Sequence, residues 1–227
     1  MEVKHKSENK MIFYNPNFNN EDVKKRFGDL NEMLMMYRCA IREISTKLEV
    51  INEEFQVKRK RNPIEYMKSR VKTPDSIFKK LERRGLEVSL ESARENLNDI
   101  AGIRVVCSFV DDIYTLADML IRQDDITLIE KKDYIKNPKK NGYRSLHIVL
   151  EVPVFFSDHI ERMRVEVQIR TIAMDFWASI EHKLYYKKDL EGADLAIISE
   201  LKNCADIIAS TDTKMQDIRD KLEENAK

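Results

Sequence analysis

The sequence is poor in the residues that form tight turns or covalent cross-links: its 227 residues include five glycines, five prolines and three cysteines. Phosphate-binding Gly-x-Gly-x-x-Gly and Walker loops need closely spaced glycines, and neither motif occurs, so the glycine-loop nucleotide-binding classes are excluded. Cys39, Cys107 and Cys204 are odd in number and lack metal-ligand spacing. They therefore predict free thiols in a reducing compartment rather than disulfides or a zinc site.

A net charge and a long apolar run are also missing. Lysine plus arginine and aspartate plus glutamate each number 40, so indiscriminate binding to a polyanion is not indicated and local clusters must recognise any anion. The first ten residues are polar rather than signal-like, and no apolar run approaches the length of a membrane span. We therefore expect a soluble, cytoplasmic protein with no membrane partner.

Both ends of the chain carry heptad patterns typical of long helices. Residues 1–20 lack periodicity and are predicted to be a flexible lead-in to an N-terminal helix, 21–61. Its apolar seam is Leu30, Leu34, Tyr37, Ile41, Ile44, Leu48, Ile51 and Phe55. The seam of the C-terminal helix, within 189–227, is Ile197, Leu201, Cys204, Ile208, Thr211, Met215, Ile218 and Leu222. The two seams either pack on each other within one subunit or build an oligomer.

The middle of the chain, within a domain predicted to span 21–188, interleaves helices and strands. Asn62-Pro63 resembles the start of a short helix that reaches about Lys68. A later helix, 171–187, is predicted to bury Ile172, Phe176, Ile180 and Leu184. The pattern predicts an α/β (α+β) fold: a mixed, nucleotidyltransferase-like sheet of about five strands, flanked by helices, with long N- and C-terminal helices.

One face of two neighbouring strands is polar. In 164–171, Val165, Val167 and Ile169 alternate with Arg164, Glu166, Gln168 and Arg170, and 145–151 alternates in the same way with His147 on the polar side. Antiparallel pairing of these segments would place both polar faces side by side. The loop 131–144 combines turn residues with positive charge, so it is predicted to bring cations to that surface.

Two carboxylates stand at strand positions, Asp99 just before an apolar strand and Glu166 within one. Lysines, arginines and the loop residue Tyr143 accompany them. Cations bind polyphosphate, carboxylates hold a hard divalent ion and an aromatic ring stacks on a base, so the set predicts a nucleotide phosphotransfer site. An oxygen-only site suits Mg²⁺ better than zinc, which makes Mg²⁺ the expected cofactor.

A basic segment lies further upstream. Its members are Arg70 and Lys72, followed by Ser76, Lys80 and Arg83 near one face of a predicted helix. They form either an anion-binding wall or an exposed basic helix, and the pattern alone leaves both open.

Four segments in order resemble the alarmone synthetase domain of the RelA/SpoT type. They are Asp99–Arg104, Gly142–His147, Glu166–Thr171 and Trp177–His182, and the resemblance covers roughly 62–188. A single short synthetase domain flanked by helices resembles the small alarmone synthetases, and Glu43–Leu48 with Met174-Asp175 resembles their RelP type.

This resemblance implies transfer of a pyrophosphoryl group from ATP to the ribose 3′-hydroxyl of GDP or GTP, releasing AMP and yielding (p)ppGpp in the stringent stress response. It implies catalytic roles for Asp99, Glu166 and Gln168, with Asp99 and Glu166 as Mg²⁺ ligands. The residues implied for ATP are Arg70 and Arg104, which sandwich the adenine, and Lys72, Ser76, Lys80 and Arg83 toward its phosphates. Those implied for GDP or GTP are Tyr143, which stacks on guanine, and Arg144, His147, Lys131, Lys139 and Lys140.

Family members form homotetramers, so the resemblance favours oligomerisation through the two heptad seams. Glu130 stands where many relatives carry a basic residue, which leaves the preference between GDP and GTP open. The chain has no His-Asp hydrolase domain, so it is not expected to degrade alarmone. Two alternatives remain: a catalytically silent regulator that binds nucleotide or RNA, although no feature specifically supports RNA, and a nucleotidyltransferase that releases pyrophosphate.

Overall fold

A mixed five-stranded sheet forms the centre of the protein in the computed structural model, which describes residues 20–186 and 195–225. The elements are α1 (Asn20–Arg59), β1 (Ile64–Val71), α2 (Pro74–Arg83), α3 (Leu90–Asn96), β2 (Ala101–Cys107), α4 (Val110–Ile121), β3 (Thr127–Asp133), β4 (Leu146–Phe155), β5 (Ile160–Thr171), α5 (Ile172–Tyr186) and α6 (Leu195–Asn225). The strand order is β1-β2-β5-β4-β3, with β2 and β5 parallel and the other pairs antiparallel. The predicted fold class is confirmed, while the predicted lead-in lies outside the described residues except for Asn20.

Helix α1 lies across one face of the sheet, where it packs on β1, β2, β4, β5 and α4. The predicted first seam is the face it buries, with Ile44 and Leu48 fully enclosed. The partner of this seam is therefore the sheet and α4. Neither packing on the C-terminal helix nor exposure to a second subunit is right for this seam. In the described ranges, no helix is both long enough and apolar enough to cross a membrane.

The predicted helix at 62–68 is wrong, because this segment is strand β1, paired antiparallel with β2. A register shift between Ile64 and Tyr66 explains the error. Ile64 pairs with Cys107 on the α1 side, whereas Tyr66 pairs with Val106 on the opposite side. The bulge thus interrupts the two-residue period that identifies a strand from sequence.

Helix α5 turns a different face inward from the one predicted. Ile172, Phe176, Ile180 and Leu184 are all exposed, Phe176 by 62%. The buried residues are instead Met174, Asp175, Trp177 and Ala178, and Trp177 and Ala178 pack with Ala205 of α6. Four apolar residues at helical spacing therefore form an open stripe.

Helix α6 buries little of its predicted seam. Leu201 and Ile208 are half-buried beside Ala205, a buried residue outside that seam, whereas Ile197 and Cys204 are exposed. Farther along, Met215, Ile218 and Leu222 are exposed. Polar contacts hold this part of α6 to the domain instead: Thr171 donates to Asp212 at 2.6 Å, and Arg219 donates two hydrogen bonds of 2.8 Å to Asp111.

Candidate active site

The candidate site occupies the sheet face opposite α1, where strand pairing aligns polar residues in rows. One row runs across all five strands through Lys68, Arg104, Gln168, His147 and Lys132. Paired residues in neighbouring strands project from the same face, about 5 Å apart. The predicted alternation in β4 and β5 is thereby confirmed, and their polar faces do lie side by side.

A second row on the same face contains Glu166, with Gly102 beside it in the neighbouring strand. It runs through Arg70, Gly102, Glu166, Val149 and Glu130. Since Gly102 has no side chain, space opens between Arg70 and Glu166. A cavity of about 250 Å³ fills this region, and its lining also includes Asp99 and Arg104. The two predicted carboxylates therefore face one cavity.

Asp99 lies just before β2, against two lysines from the predicted basic segment. Its Oδ2 atom lies 2.6 Å from Nζ of Lys80 and 3.1 Å from Nζ of Lys72. Burial alone would raise the pKa of Asp99, but hydrogen bonds and charge from Lys80 and Lys72 outweigh burial and hold that pKa below its ordinary value. This carboxylate is therefore ionised at neutral pH.

The rest of the predicted basic segment lies around helix α2. Thr73 caps the helix by accepting from the backbone N–H of Ser76 at 3.4 Å. Ser76 is exposed in the first turn and Arg83 in the last. Lys72 and Lys80 thus reach the carboxylate, whereas Ser76 and Arg83 are exposed. Anion binding by this segment stays a prediction.

Glu166 is held by its neighbours in the two rows. Its Oε1 atom lies 3.2 Å from Nδ1 of His147, and its Oε2 atom accepts from Nε2 of Gln168 at 2.9 Å. Burial opposes ionisation, yet the hydrogen bonds with His147 and Gln168 hold the pKa of Glu166 below its ordinary value. A second ionised carboxylate thus lies at the centre of the sheet.

These contacts close into a hydrogen-bonded ring made of Glu166, His147, Tyr143, Arg170 and Gln168. His147 Nε2 lies 2.8 Å from the Tyr143 hydroxyl. Arg170 donates to that hydroxyl at 2.5 Å and to Gln168 Oε1 at 3.0 Å. The orientation of the predicted base-stacking tyrosine is therefore linked to that of the central carboxylate.

Three contributors to this region were not predicted as site residues. Tyr66 was hidden by the bulge in β1, Arg170 was placed on the polar face without a role, and Asp175 was noted only as a mark of subtype. Asp175 accepts from Arg170 at 3.1 Å and from the Tyr66 hydroxyl at 2.7 Å. A buried arginine is rarely found without a carboxylate partner, so the arginine on the polar face of β5 could have prompted a search for such a partner.

Tyr143 is presented by a tight turn in the predicted basic loop. Gly142 adopts φ +91° and donates to the Lys139 carbonyl at 2.8 Å, a conformation that L-residues with side chains rarely adopt. The turn brings Lys139 Nζ to 4.9 Å from the centre of the Tyr143 ring and 4.7 Å from that of Tyr134. Lys139 therefore lies at the predicted guanine position.

The remaining loop cations are spread more widely than predicted. Lys140 and Arg144 line an open groove of about 510 Å³ with Lys202 of α6. Arg144 is engaged by α6, donating to Asp206 at 2.8 Å and to the Ala205 carbonyl at 3.2 Å. It therefore holds the loop against the C-terminal helix.

Lys131 lies on the other side of the sheet, so the structure does not bring it to the site. It pairs with Ile148, whose side chain belongs to the core, and approaches Asp118 of α4 at 3.9 Å. Lys132 takes the site-facing position beside His147. The sequence predicted Lys131 at the start of the loop 131–144, whereas β3 extends to Asp133 and fixes Lys131 on the α4 side of the sheet.

The donor set is compatible with Mg²⁺, the cofactor that the sequence predicts. Oδ1 of Asp99 is buried and accepts no hydrogen bond from any described group, so one carboxylate oxygen facing this region is available. Within the described ranges, no cluster of three or more histidine, cysteine, aspartate or glutamate residues could enclose a metal ion. Mg²⁺ commonly binds through one or two carboxylates together with substrate phosphates, and the pair Asp99 and Glu166 is compatible with a site of that kind.

Comparison with known proteins gives a consistent match. The family model described as the region found in RelA / SpoT proteins matches residues 69–191. The chain is 42% identical to GTP pyrophosphokinase YwaC of Bacillus subtilis (strain 168), over 89% of this chain and 96% of the relative.

Solved structures agree with this match. The crystal structure of small alarmone synthetase 2 from Bacillus subtilis superposes with a TM-score of 0.77 and 42% identity, covering 85% of this chain and 99% of that one. Small alarmone synthetase 1 from Bacillus subtilis, bound to its product pppGpp, superposes with a TM-score of 0.77 and 34% identity, covering 86% and 98%.

Proposed function

The chain belongs to the RelA/SpoT family, and on that premise we propose that it is a (p)ppGpp synthetase. It transfers the pyrophosphoryl group of ATP to the 3′-hydroxyl of GDP or GTP and releases AMP. The observation that carries this proposal is the pair of ionised carboxylates, Asp99 and Glu166, facing one cavity between lysines on one side and a presented tyrosine on the other. A similar protein is named a GTP pyrophosphokinase, and another was solved with pppGpp.

The donor nucleotide is assigned to the β1–β2 side of the cavity. Arg70 and Arg104 line it from neighbouring strands, which supports an adenine stacked between their two guanidinium groups. Lys72 and Lys80 lie where the triphosphate would approach Asp99, with Ser76 and Arg83 on the rim. The cluster supports binding of a polyanionic donor.

Mg²⁺ is assigned to Asp99 and Glu166. When bound, it would neutralise negative charge on the transferred group and its leaving oxygen. The lysines beside Asp99 supply further positive charge in the same region. Since the metal and two substrates must assemble together, release of magnesium by a chelator is expected to abolish turnover.

The acceptor nucleotide is assigned to the Tyr143 side. Guanine stacks on the Tyr143 ring, displacing Lys139, while Lys139 and Lys140 offer charge to its 5′-phosphates. The 3′-oxygen attacks the β-phosphorus of ATP, the bond from that phosphorus to the α-phosphate oxygen breaks, and AMP leaves. Glu166 takes the hydroxyl proton, and Gln168 and His147 hold its two oxygens in place.

We also assign a homo-oligomer to this chain, with a tetramer expected from the family, in the cytoplasm. The support is the open stripe on α5 and the exposed residues Met215, Ile218 and Leu222 of α6. Large apolar side chains in a row on two adjacent helices are typical of subunit interfaces. The first seam takes no part, because α1 is covered by its own sheet.

The test incubates purified protein with Mg²⁺, β-labelled ATP and either GDP or GTP, followed by anion-exchange separation. Label in guanosine tetra- or pentaphosphate together with AMP supports the proposal, and comparing the two acceptors gives the preference directly. Glu166→Gln is expected to lower the rate by roughly 10²- to 10⁴-fold. The control is Glu151→Gln, a second strand carboxylate that pairs with Arg164 and Arg162 rather than the cavity.

Two results would contradict the proposal. Binding of both nucleotides without transfer of label would point to a silent regulator, and RNA and alarmone affinity would then be measured. Release of pyrophosphate in place of AMP would indicate nucleotidyl transfer. Either result leaves the fold assignment intact.

A further inference from the structure

Asp175 lies outside the cavity, yet its carboxylate connects the two sides of the site. It accepts hydrogen bonds from the Tyr66 hydroxyl at 2.7 Å and from Arg170 at 3.1 Å, and it pairs with Arg104 at 3.3 Å. Its side chain is only 7% exposed. Burying a carboxylate costs free energy unless cationic and hydrogen-bonding partners compensate, so these partners are the reason to look for a role of Asp175.

The first branch leads to the proposed donor side. Arg104 lines the cavity and is 38% exposed, so its guanidinium remains accessible to a base. Its strand position fixes only its Cα, because a long side chain keeps many rotamers. The ion pair with Asp175 restricts those rotamers, while Tyr66, from the neighbouring strand, holds the other carboxylate oxygen.

The second branch leads to the proposed acceptor side. Arg170 is 4% exposed and donates through one nitrogen to Asp175 and through the other to the Tyr143 hydroxyl and Gln168. Its guanidinium carbon also lies 5.0 Å from the centre of the Tyr143 ring. Since Arg170 contributes two contacts to the hydrogen-bonded ring, neutralising Asp175 would leave this buried cation without its partner.

We infer that Asp175 is a positioning residue shared by both nucleotide subsites, fixing Arg104 for the donor and, through Arg170, Tyr143 for the acceptor. The inference rests on the proposed function for the identity of the two bases. It predicts an effect that a residue serving one subsite cannot have. Loss of the Asp175 charge weakens two different ligands that bind on opposite sides of Glu166.

The experiment titrates the non-hydrolysable donor α,β-methylene-ATP and, separately, GDP into the full-length protein. Asp175→Asn, which keeps the size of the side chain but removes its charge and replaces one acceptor oxygen with a donor, is expected to raise both dissociation constants by about three- to tenfold. The matched control is Asp118→Asn, which removes a carboxylate from α4 on the far side of the sheet. It is expected to leave both constants unchanged.

A double-mutant cycle separates positioning from general loosening of the fold. In the Arg104→Ala background, Asp175→Asn should add little to the loss of the ATP analogue but keep its full effect on GDP. General loosening would weaken both ligands in either background. Equal effects on binding of the ATP analogue in the two backgrounds, or a change in only one ligand with Arg104 intact, would overturn the inference.

Tyr66→Phe provides a milder perturbation if Asp175→Asn lowers the melting temperature into the assay range. It removes one hydrogen bond from Asp175 and keeps the ring, so both dissociation constants should rise by about twofold. Unchanged constants for both ligands would then overturn the inference.

The two proposals fail differently. A wild-type protein that binds both nucleotides without releasing AMP contradicts the synthetase and leaves the titrations decisive for Asp175. A wild-type protein that makes alarmone, with Asp175→Asn binding both ligands normally, contradicts only the role of Asp175. Absence of nucleotide binding by the wild-type protein would contradict both proposals.

Discussion

His147 lies with its Nδ1 atom 3.2 Å from Oε1 of Glu166. Arg170 donates to the Tyr143 hydroxyl, which leaves the hydroxyl proton free to point at Nε2 of His147. The network therefore assigns the neutral imidazole its proton on Nδ1, donated to Glu166. In this arrangement, histidine keeps the carboxylate ionised and stationary.

Replacing His147 tests this arrangement. His147→Ala is expected to lower kcat by about 10²-fold, because Glu166 loses one of its two orienting hydrogen bonds, with a smaller change in KM for ATP. Steady-state kinetics with both substrates measures the split. His159→Ala, at the exposed β4–β5 hairpin beside Asp158, is the control. A KM effect alone would show that His147 only binds substrate.

The roles of the ring and of the hydroxyl of Tyr143 can be tested separately by two substitutions. Tyr143→Ala removes the stacking surface and should weaken GDP by about tenfold or more with little change for ATP. Tyr143→Phe keeps the ring but breaks the hydrogen-bonded ring of side chains, so kcat should fall while GDP affinity is largely retained. Calorimetric titration and turnover measure the two effects. Equal weakening of both nucleotides by Tyr143→Ala would refute the stacking assignment.

Acid stability is expected to depend on Asp99 in a defined direction. Its folded pKa lies below the ordinary 3.8, so its stabilisation is complete above pH 3.8 and is lost as pH falls through the folded pKa. Asp99→Asn should therefore flatten the decline in unfolding free energy below about pH 3.8. Urea unfolding across acidic pH measures this slope.

The pKa of Asp212 is shifted in the opposite direction to that of Asp99, so its effect on acid stability has the opposite sign. Burial raises its pKa above 3.8, only partly offset by the hydrogen bond from Thr171. Between pH 3.8 and the raised pKa, the folded state therefore binds more protons than the unfolded state, so the free energy of unfolding rises as pH falls through this range. Asp212→Asn should remove this rise and leave the slope below pH 3.8 unchanged. The same change of slope in both variants would contradict the two assignments.

Two glycines predict opposite outcomes from the same substitution. A Cβ atom on Gly142 would lie 2.7 Å from that of Ala205 and 3.2 Å from Cα of Lys202. Gly142→Ala should therefore destabilise the protein by about 1–3 kcal/mol and push α6 from the loop. Gly28, in α1, has no atom within 4 Å of a built Cβ, so Gly28→Ala should stabilise by about 1 kcal/mol. Urea midpoints decide both.

The oligomer can be tested without damaging the subunit. Ile218 is 51% exposed on α6, so Ile218→Asp should cost the isolated subunit little but lower the solution mass by light scattering. Val57→Asp, at an exposed position of α1 that belongs neither to the α5 stripe nor to the exposed residues of α6, is the control. An unchanged mass for Ile218→Asp would exclude this part of α6 from the interface.

Local sequence patterns correctly predicted the strands in which the two-residue alternation is uninterrupted. Alternation in β4 and β5 placed Glu166, Gln168 and His147 on one face because both strands run without a bulge. The bulge in β1 interrupted the alternation there, so Tyr66 was missed. Lys131 was predicted in the loop 131–144, although β3 extends to Asp133. A one-residue slip reverses every side chain, and single-sequence alternation does not reveal it.

Longer-range packing set the other limits. The stripe containing Phe176 has helical spacing but is exposed, because α6 covers the face that bears Trp177 instead. Arg144 contacts Asp206, which follows it by 62 residues, and no local pattern connects the two. The first seam was correctly identified, whereas its partner surface depended on the whole sheet.

The pairing of β2 with β5 also has consequences for how the site assembles. Ala101 pairs with Val165 in parallel, although β2 and β5 are separated in the chain by α4, β3 and β4. The row from Lys68 to Lys132 therefore forms only after these two distant strands have paired. Four strand spacings of about 4.8 Å make this row roughly 19 Å wide, and no contiguous segment of the chain contains it. A partly folded chain therefore cannot hold both nucleotides. Substrate binding should accordingly favour the complete sheet and slow its unfolding.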